Sequence, residues 1–182
     1  CMPSTGDNDS FDIGRHIKSL YEHIPIVILT PFSHGITARI ADEDLSAFDY
    51  VFCWLGNTDL LVSIIKLIED KMNLEHDVAE VGVQLILLVE DGIRFYSSVL
   101  PNLYKFVLKQ SQEFSTEALN AHQRTLRMRG RPKIVLARTY DEAITIYEKY
   151  KNNILGVITD VRFPRVVRGE KDGLAGIKLC AA

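Results

Sequence analysis

The sequence predicts an α/β fold: an open parallel sheet flanked by helices. Two observations predict it. Short apolar runs recur along the chain, and each is followed by a segment whose apolar residues repeat at helical spacing. The runs are apolar throughout, whereas a strand with one wet face alternates apolar and polar residues. These strands are therefore expected to be covered on both faces, as in a parallel sheet.

The elements follow in order. Phe11 to Tyr21 is predicted helical, with Ile13, Ile17 and Leu20 on one face. Pro25-Ile26-Val27-Ile28-Leu29 reads as the first strand, stopped by Pro31, and Gly35 to Ile40 as a short helix. Tyr50 to Trp54 is the second strand. Asn57 or Thr58 caps a long helix whose stripe is Leu60, Leu61, Ile64, Ile65, Ile68 and Met72. Residues 73–80 are polar and read as a linker.

Val83 to Val89 is the strongest strand signal and ends in Glu90-Asp91. A helix from near Ile93 offers Phe95, Val99, Leu100, Leu103 and Phe106 for burial, with Pro101 as a kink position. Residues 109–131 are expected to continue or restart this helix as a projecting arm. Lys133 to Ala137 is the next strand. Thr139 and Glu142 have capping-box spacing ahead of a helix that buries Ala143, Ile144, Ile146 and Tyr147. Ile154 to Thr159 is the last strand and terminates at Asp160. Gly173 to Cys180 begins a final helix with Leu174, Ile177 and Leu179.

The totals narrow the function classes. The chain has 182 residues, 47% hydrophobic and 25% charged, with a formal charge of -3, so nothing global draws it to nucleic acid or an anionic membrane. No apolar run reaches the ~20 residues that span a bilayer. Cys1, Cys53 and Cys180 have neither zinc nor disulfide spacing, which points to a reducing, cytoplasmic setting. His16, His23, His34, His76 and His122 show no ligand spacing with them. The basic stretch Arg124, Arg127, Arg129, Arg131 and Lys133 reads as a solvated helix end. Neither terminus reads as the edge of a finished domain, so the chain is expected to be a piece of a longer polypeptide.

Sites in open parallel sheets form beyond the carboxyl ends of the strands. Thr30, Glu90, Asp91 and Asp160 occupy those ends. Singly, Asp160 also reads as a turn or helix cap, Glu90-Asp91 as a cap and Thr30 as a loop hydroxyl. Together the three carboxylates form a candidate cation site, because neighbouring carboxylates repel unless a cation joins them. Magnesium is the candidate ion, since it takes hard oxygen ligands and retains waters. Asp160, held by an apolar strand, is the candidate nucleophile toward phosphorus.

The segment from Val83 onward resembles the receiver domains of bacterial response regulators. "LILLVEDGIRFYSSVLPNL" resembles the first strand, acidic pair and first helix of that family, and "KIVLARTYDEAITIYEKY" its second strand and helix. "LGVITDVRFP" resembles the third strand, and "DGLAGIKLC" the third helix. The resemblance implies Glu90 and Asp91 as the metal-binding pair, Asp160 as the phosphoryl acceptor and Pro164 as the proline that follows it. The earlier part resembles the other half of a receiver. "MPSTGDNDSFDIGRHIKSLYEHIPIVILTPFS" places Thr30 on the phosphate-sensing Ser/Thr. "AFDYVFCWLGNTDLLVSIIKLIEDKM" resembles the fifth strand and helix, but Cys53 and Trp54 stand where the family has lysine and proline.

The resemblance thus implies two half-receivers, the C-terminal half of one at 1–76 and the N-terminal half of another at 77–182. They are expected to pack as one flavodoxin-like, circularly permuted unit with a five-stranded parallel sheet, or as a swapped homodimer. In either case strand 25–29 would lie beside strand 154–159. The two halves together also resemble the regulatory region of bacterial phosphoenolpyruvate synthase-like proteins. That implies a parent similar to a pyruvate, water dikinase, with its other domains and a phosphodonor as partners. No complete catalytic centre of such an enzyme is present in these residues. The other functional expectation is a degenerate, non-phosphorylated interaction or structural domain.

Overall fold

A computed structural model describes residues 10–31, 40, 43–116 and 130–181. The elements in chain order are α1 (Ser10–Leu20), β1 (Val27–Pro31), β2 (Tyr50–Trp54), α2 (Asp59–Val81), β3 (Leu85–Val89) and α3 (Ile93–Thr116). There follow β4 (Lys133–Ala137), α4 (Tyr140–Tyr150), β5 (Ile154–Thr159), the short strands β6 (Phe163–Pro164) and β7 (Lys171–Asp172), and α5 (Ala175–Cys180). The expected α/β class is found, with parallel strands flanked by helices. β3 is central, with β4 on one side and β5 on the other, all parallel. β1 and β2 form a separate parallel pair, and β6 with β7 a small antiparallel one.

The expected single five-stranded sheet is not formed within the chain. Among the described residues β1 pairs with β2 alone, and β5 with β3 alone. The backbone of β2 is also held by α3. The Tyr96 hydroxyl donates to the Val51 carbonyl, and the Cys53 N–H donates to Ser97 Oγ at 2.9 Å. These bonds satisfy the Val51 carbonyl and the Cys53 N–H of β2. β5 is left at the edge of its sheet with Leu155, Val157 and Ile158 exposed.

The main core draws on both halves of the sequence. Tyr50, Phe52, Leu60, Ile64 and Leu67 pack with Leu88, Tyr96, Leu100, Tyr104, Val107, Ile134 and Leu136. A second cluster lies between β3, β4, α4 and α5, around Leu85, Leu87, Val89, Ala137, Ala143 and Phe163. Several helical faces differ from those expected. In α3 the buried line is Tyr96, Leu100, Tyr104 and Val107, while Phe95, Val99 and Phe106 face outward. Tyrosine can take the inward face because its hydroxyl finds a partner, Val51 in one case and Asp70 in the other. In α2, Leu60, Ile64 and Leu67 are buried and Leu61, Ile65 and Met72 exposed. In α1 the buried residues are Ser10, Phe11 and Gly14, and the stripe Ile13, Ile17 and Leu20 is exposed. Gly14 lies against the Phe48 ring, where a Cβ would collide.

The expected linker at 73–80 is helical, because α2 continues to Val81 and ends at Gly82 in the left-handed conformation (φ 67°). Its polar residues are polar for a packing reason. Asp70 is fully buried and receives Arg131, Tyr104 and the Ile134 N–H, while Asp77 receives Lys133 at 2.7 Å. Arg131 and Lys133 are therefore buried ion-pair partners, not members of a solvated helix end. The 76/77 boundary drawn from the sequence falls inside α2.

β1 begins two residues later than expected, at Val27. α3 runs through Pro101 and continues to Thr116, in line with the expected extension past Lys109. The remainder of that arm, with Arg124, Arg127 and Arg129, lies outside the described residues. So does the expected helix at 35–40, apart from Ile40.

Candidate functional site

The register of the three-stranded sheet builds the site. Val89 at the end of β3 is level with Ala137 on β4 and Thr159 on β5. The ladders extend one residue further, with the Glu90 N–H donating to the Ala137 carbonyl (3.0 Å) and the Asp160 N–H to the Val89 carbonyl (2.9 Å). The carboxyl residues are thus fixed at the carboxyl ends of two adjacent strands. Glu90, Asp91 and Asp160 each present a carboxylate oxygen, and these oxygens lie within 4.8 Å of one another. The sequence-predicted acidic trio is brought together.

Each carboxylate has a distinct setting. Glu90 Oε1 accepts from the Gly92 N–H at 2.8 Å. Burial raises the Glu90 carboxyl above the usual 4.5; the Gly92 N–H opposes this, and the charges of Asp160 and Asp91 add to it. Asp160 is the most open of the three. Its Oδ1 accepts from the Val161 N–H at 2.7 Å. Asp91 is the most telling. Its Oδ2 meets Lys171 Nζ at 2.6 Å, while its Oδ1 is buried and has no hydrogen-bond partner. A buried carboxylate oxygen without a donor is costly to leave unsatisfied. The three carboxylates together are a hard oxygen donor set of the kind a divalent ion takes.

Two glycines let the backbone close around the site. A Cβ on Gly92 would lie 2.9 Å from Glu90 Oε1. A Cβ on Gly176 would collide with the Asp160 carbonyl oxygen, and the Gly176 N–H donates to the Val161 carbonyl at 3.1 Å. Behind the sheet, Thr139 caps α4 by accepting from the Glu142 N–H. The Glu142 carboxylate returns to the Arg138 N–H (2.8 Å), one residue earlier than in the ordinary capping box.

Thr30 belongs to the other sheet, level with Cys53. It is buried, and its hydroxyl donates to the Pro31 carbonyl at 3.0 Å. Cys53 is buried too, and burial pushes its thiol pKa up, so it carries no charge like that of a lysine. Sequence reasoning missed Lys171. It lies on β7, level with Pro164, and only the hairpin returns it to the acidic trio.

The opposite end of the sheet holds a cleft of about 510 Å³, bounded by Lys66, Glu69, His76, Asp77, Arg131 and Lys133. Its cations are already matched by acids, with Lys66 on Glu69 (2.6 Å) and Lys133 on Asp77. Chemistry is therefore better placed at the acidic trio than in this cleft. Among the described residues, no helix is long and apolar enough to cross a membrane. Compared with known protein families, curated proteins and solved structures, the chain matches none.

Proposed function

We propose that the chain is a receiver-like regulatory module that binds a divalent cation, magnesium by ligand type, and accepts a phosphoryl group on Asp160. The observation that carries this reading is the convergence of Glu90, Asp91 and Asp160 at adjacent strand ends, with Asp91 Oδ1 unsatisfied. Glu90, Asp91 and Asp160 are the residues that would hold the ion. When bound, it would neutralise the anionic oxygens of a phosphoryl group. The protein's own contribution is positional. β5 fixes Asp160 with its carboxylate open to a donor, and an Asp160 oxygen would attack the donor's phosphorus. The bond from phosphorus to the leaving group breaks, the leaving group keeps the electron pair, and an acyl phosphate remains on Asp160. Thr30 would serve as a phosphate-contacting hydroxyl only after giving up its bond to Pro31.

In this reading the module works in the cytoplasm within a larger phosphoenolpyruvate synthase-like protein, and its partners are that protein's other domains or a second copy of this chain. β5 and β1 both lie at sheet edges, and a second copy could join them across two chains. One observation favours the alternative of a degenerate interaction domain. Buried, uncharged Cys53 stands where the family's lysine would contact the phosphoryl group.

The test is incubation with acetyl phosphate and magnesium, followed by intact mass measurement. One added phosphoryl group, absent from Asp160→Asn and reduced in Asp91→Asn, supports phosphoryl acceptance. No incorporation by a protein that binds magnesium calorimetrically supports the interaction domain.

A further inference from the structure

The acidic trio already has a cation of its own. Lys171 Nζ lies 2.6 Å from Asp91 Oδ2, and the lysine side chain is roughly half exposed while the aspartate is largely buried. The backbone that carries Lys171 is fastened on both sides. Opposite it, Pro164 continues from Phe163, which is fully buried in the second core. After it, Asp172 accepts from the Leu174 N–H (2.9 Å) and pairs with Lys178 (2.5 Å). The anchor is thus fixed, while the side chain is a four-carbon stem with solvent beside it.

An ammonium is a compact charge with three donors, and this one reaches a single oxygen of the trio. It leaves Asp91 Oδ1 without a partner and makes no direct bond to Glu90 or Asp160 among the ion pairs of the described residues. A divalent cation would bring twice the charge to the same oxygens, and like charges do not share one carboxylate comfortably.

We propose that Lys171 is a tethered counter-ion that holds Asp91 while the acidic site lacks metal and swings into solvent when a divalent cation binds. This rests on the cation-site reading above and adds a residue and a competition to it. Metal binding is then an exchange of one cation for another. Its product is a freed lysine amine in solvent.

The experiment measures both sides of the exchange on the intact chain. Magnesium binding is followed by calorimetry for the unaltered protein and for Lys171→Gln. Acetylation of Lys171 by an amine-reactive ester is followed by mass spectrometry with and without saturating magnesium, with exposed Lys105 as the internal reference. Lys171→Gln is expected to bind magnesium about three- to ten-fold more tightly. Removing a positive charge alone would tighten binding, so the labelling decides. Magnesium is expected to speed acetylation of Lys171 by about three-fold or more while Lys105 is unchanged. Asp91→Asn should give the fast rate without metal. If magnesium binds and the Lys171 rate does not move, the exchange is wrong and the cation site stands. If neither protein binds magnesium, the cation site fails and the exchange with it.

Discussion

Asp70 on α2 and Arg131, just before β4, form a two-point ion pair. Arg131 Nη2 lies 2.6 Å from Asp70 Oδ1 and Nη1 lies 3.1 Å from Oδ2. Both side chains are almost wholly buried. Tyr104 and the Ile134 N–H donate to the same carboxylate at 3.0 Å, so all of its capacity near Oδ2 is used. The pair joins the helix of one half of the sequence to the sheet of the other.

Removing one partner should be severe. Asp70→Asn leaves a buried guanidinium without its counter-charge, and about 3–5 kcal/mol of stability should be lost. Replacing both, as Asp70→Leu with Arg131→Met, removes the unpaired charge but orphans the Tyr104 hydroxyl and the Ile134 N–H, so only part of the loss should be recovered. Urea unfolding of the unaltered protein and the two variants measures this. A single-variant loss below about 1 kcal/mol would contradict the buried assignment.

The raised Glu90 carboxyl sets a pH dependence with a definite sign. The folded protein holds this proton more tightly than the unfolded chain does. Glu90 therefore contributes stability that is full below its usual 4.5 and is lost as the pH rises through its higher folded value. Glu90→Gln should be more stable than the unaltered protein at neutral pH without metal, and the difference should vanish in acid. Magnesium affinity should fall as the pH drops through the same window. Thermal melts from acid to neutral pH, with and without magnesium, check both statements.

Gly176 is needed because its α-carbon abuts the Asp160 backbone. Gly176→Ala must push the Asp160 loop away, at a cost of about 1–3 kcal/mol. It should also weaken magnesium binding, since one ligand moves. Calorimetry showing unaltered affinity in the folded variant would count against the tight packing.

Tyr96→Phe removes the hydroxyl that donates to Val51 and should cost about 1 kcal/mol. Val157→Lys on the open edge of β5 should change monomer stability by no more than about 0.5 kcal/mol. A large loss there, together with a doubled solution mass in the unaltered protein, would instead indicate that β5 takes a strand from a second copy.

Much of the local structure was legible because it depends on near neighbours. The apolar run ending at Val89 and the run ending at Thr159 needed only β-favouring side chains and the polar residues after them. Thr139 capped its helix as its spacing implied. Where the reading failed, a distant partner decided. Asp77 falls in the stretch expected as a linker and Lys133 in the stretch expected as a solvated helix end, and the two form a largely buried pair. Tyr96 and Tyr104 are not among the residues expected inside, and their hydroxyls find Val51 and Asp70 there.

The acidic trio divides along the same line. By itself the sequence determined which carboxylates end β3 and β5, because strand termination is a local event. It determined the α/β class, because uninterrupted apolar strands require cover on both faces. Only the tertiary structure decided that β3 and β5 are neighbours in register, which converts three separate acids into one cluster. It alone decided that β1 pairs with β2 and not with β5 among the described residues, and that Lys171 returns to Asp91. Those outcomes depend on which buried donors and charges find partners across 40 or more residues, and a polar side chain carries no mark in the sequence of the partner that will bury it.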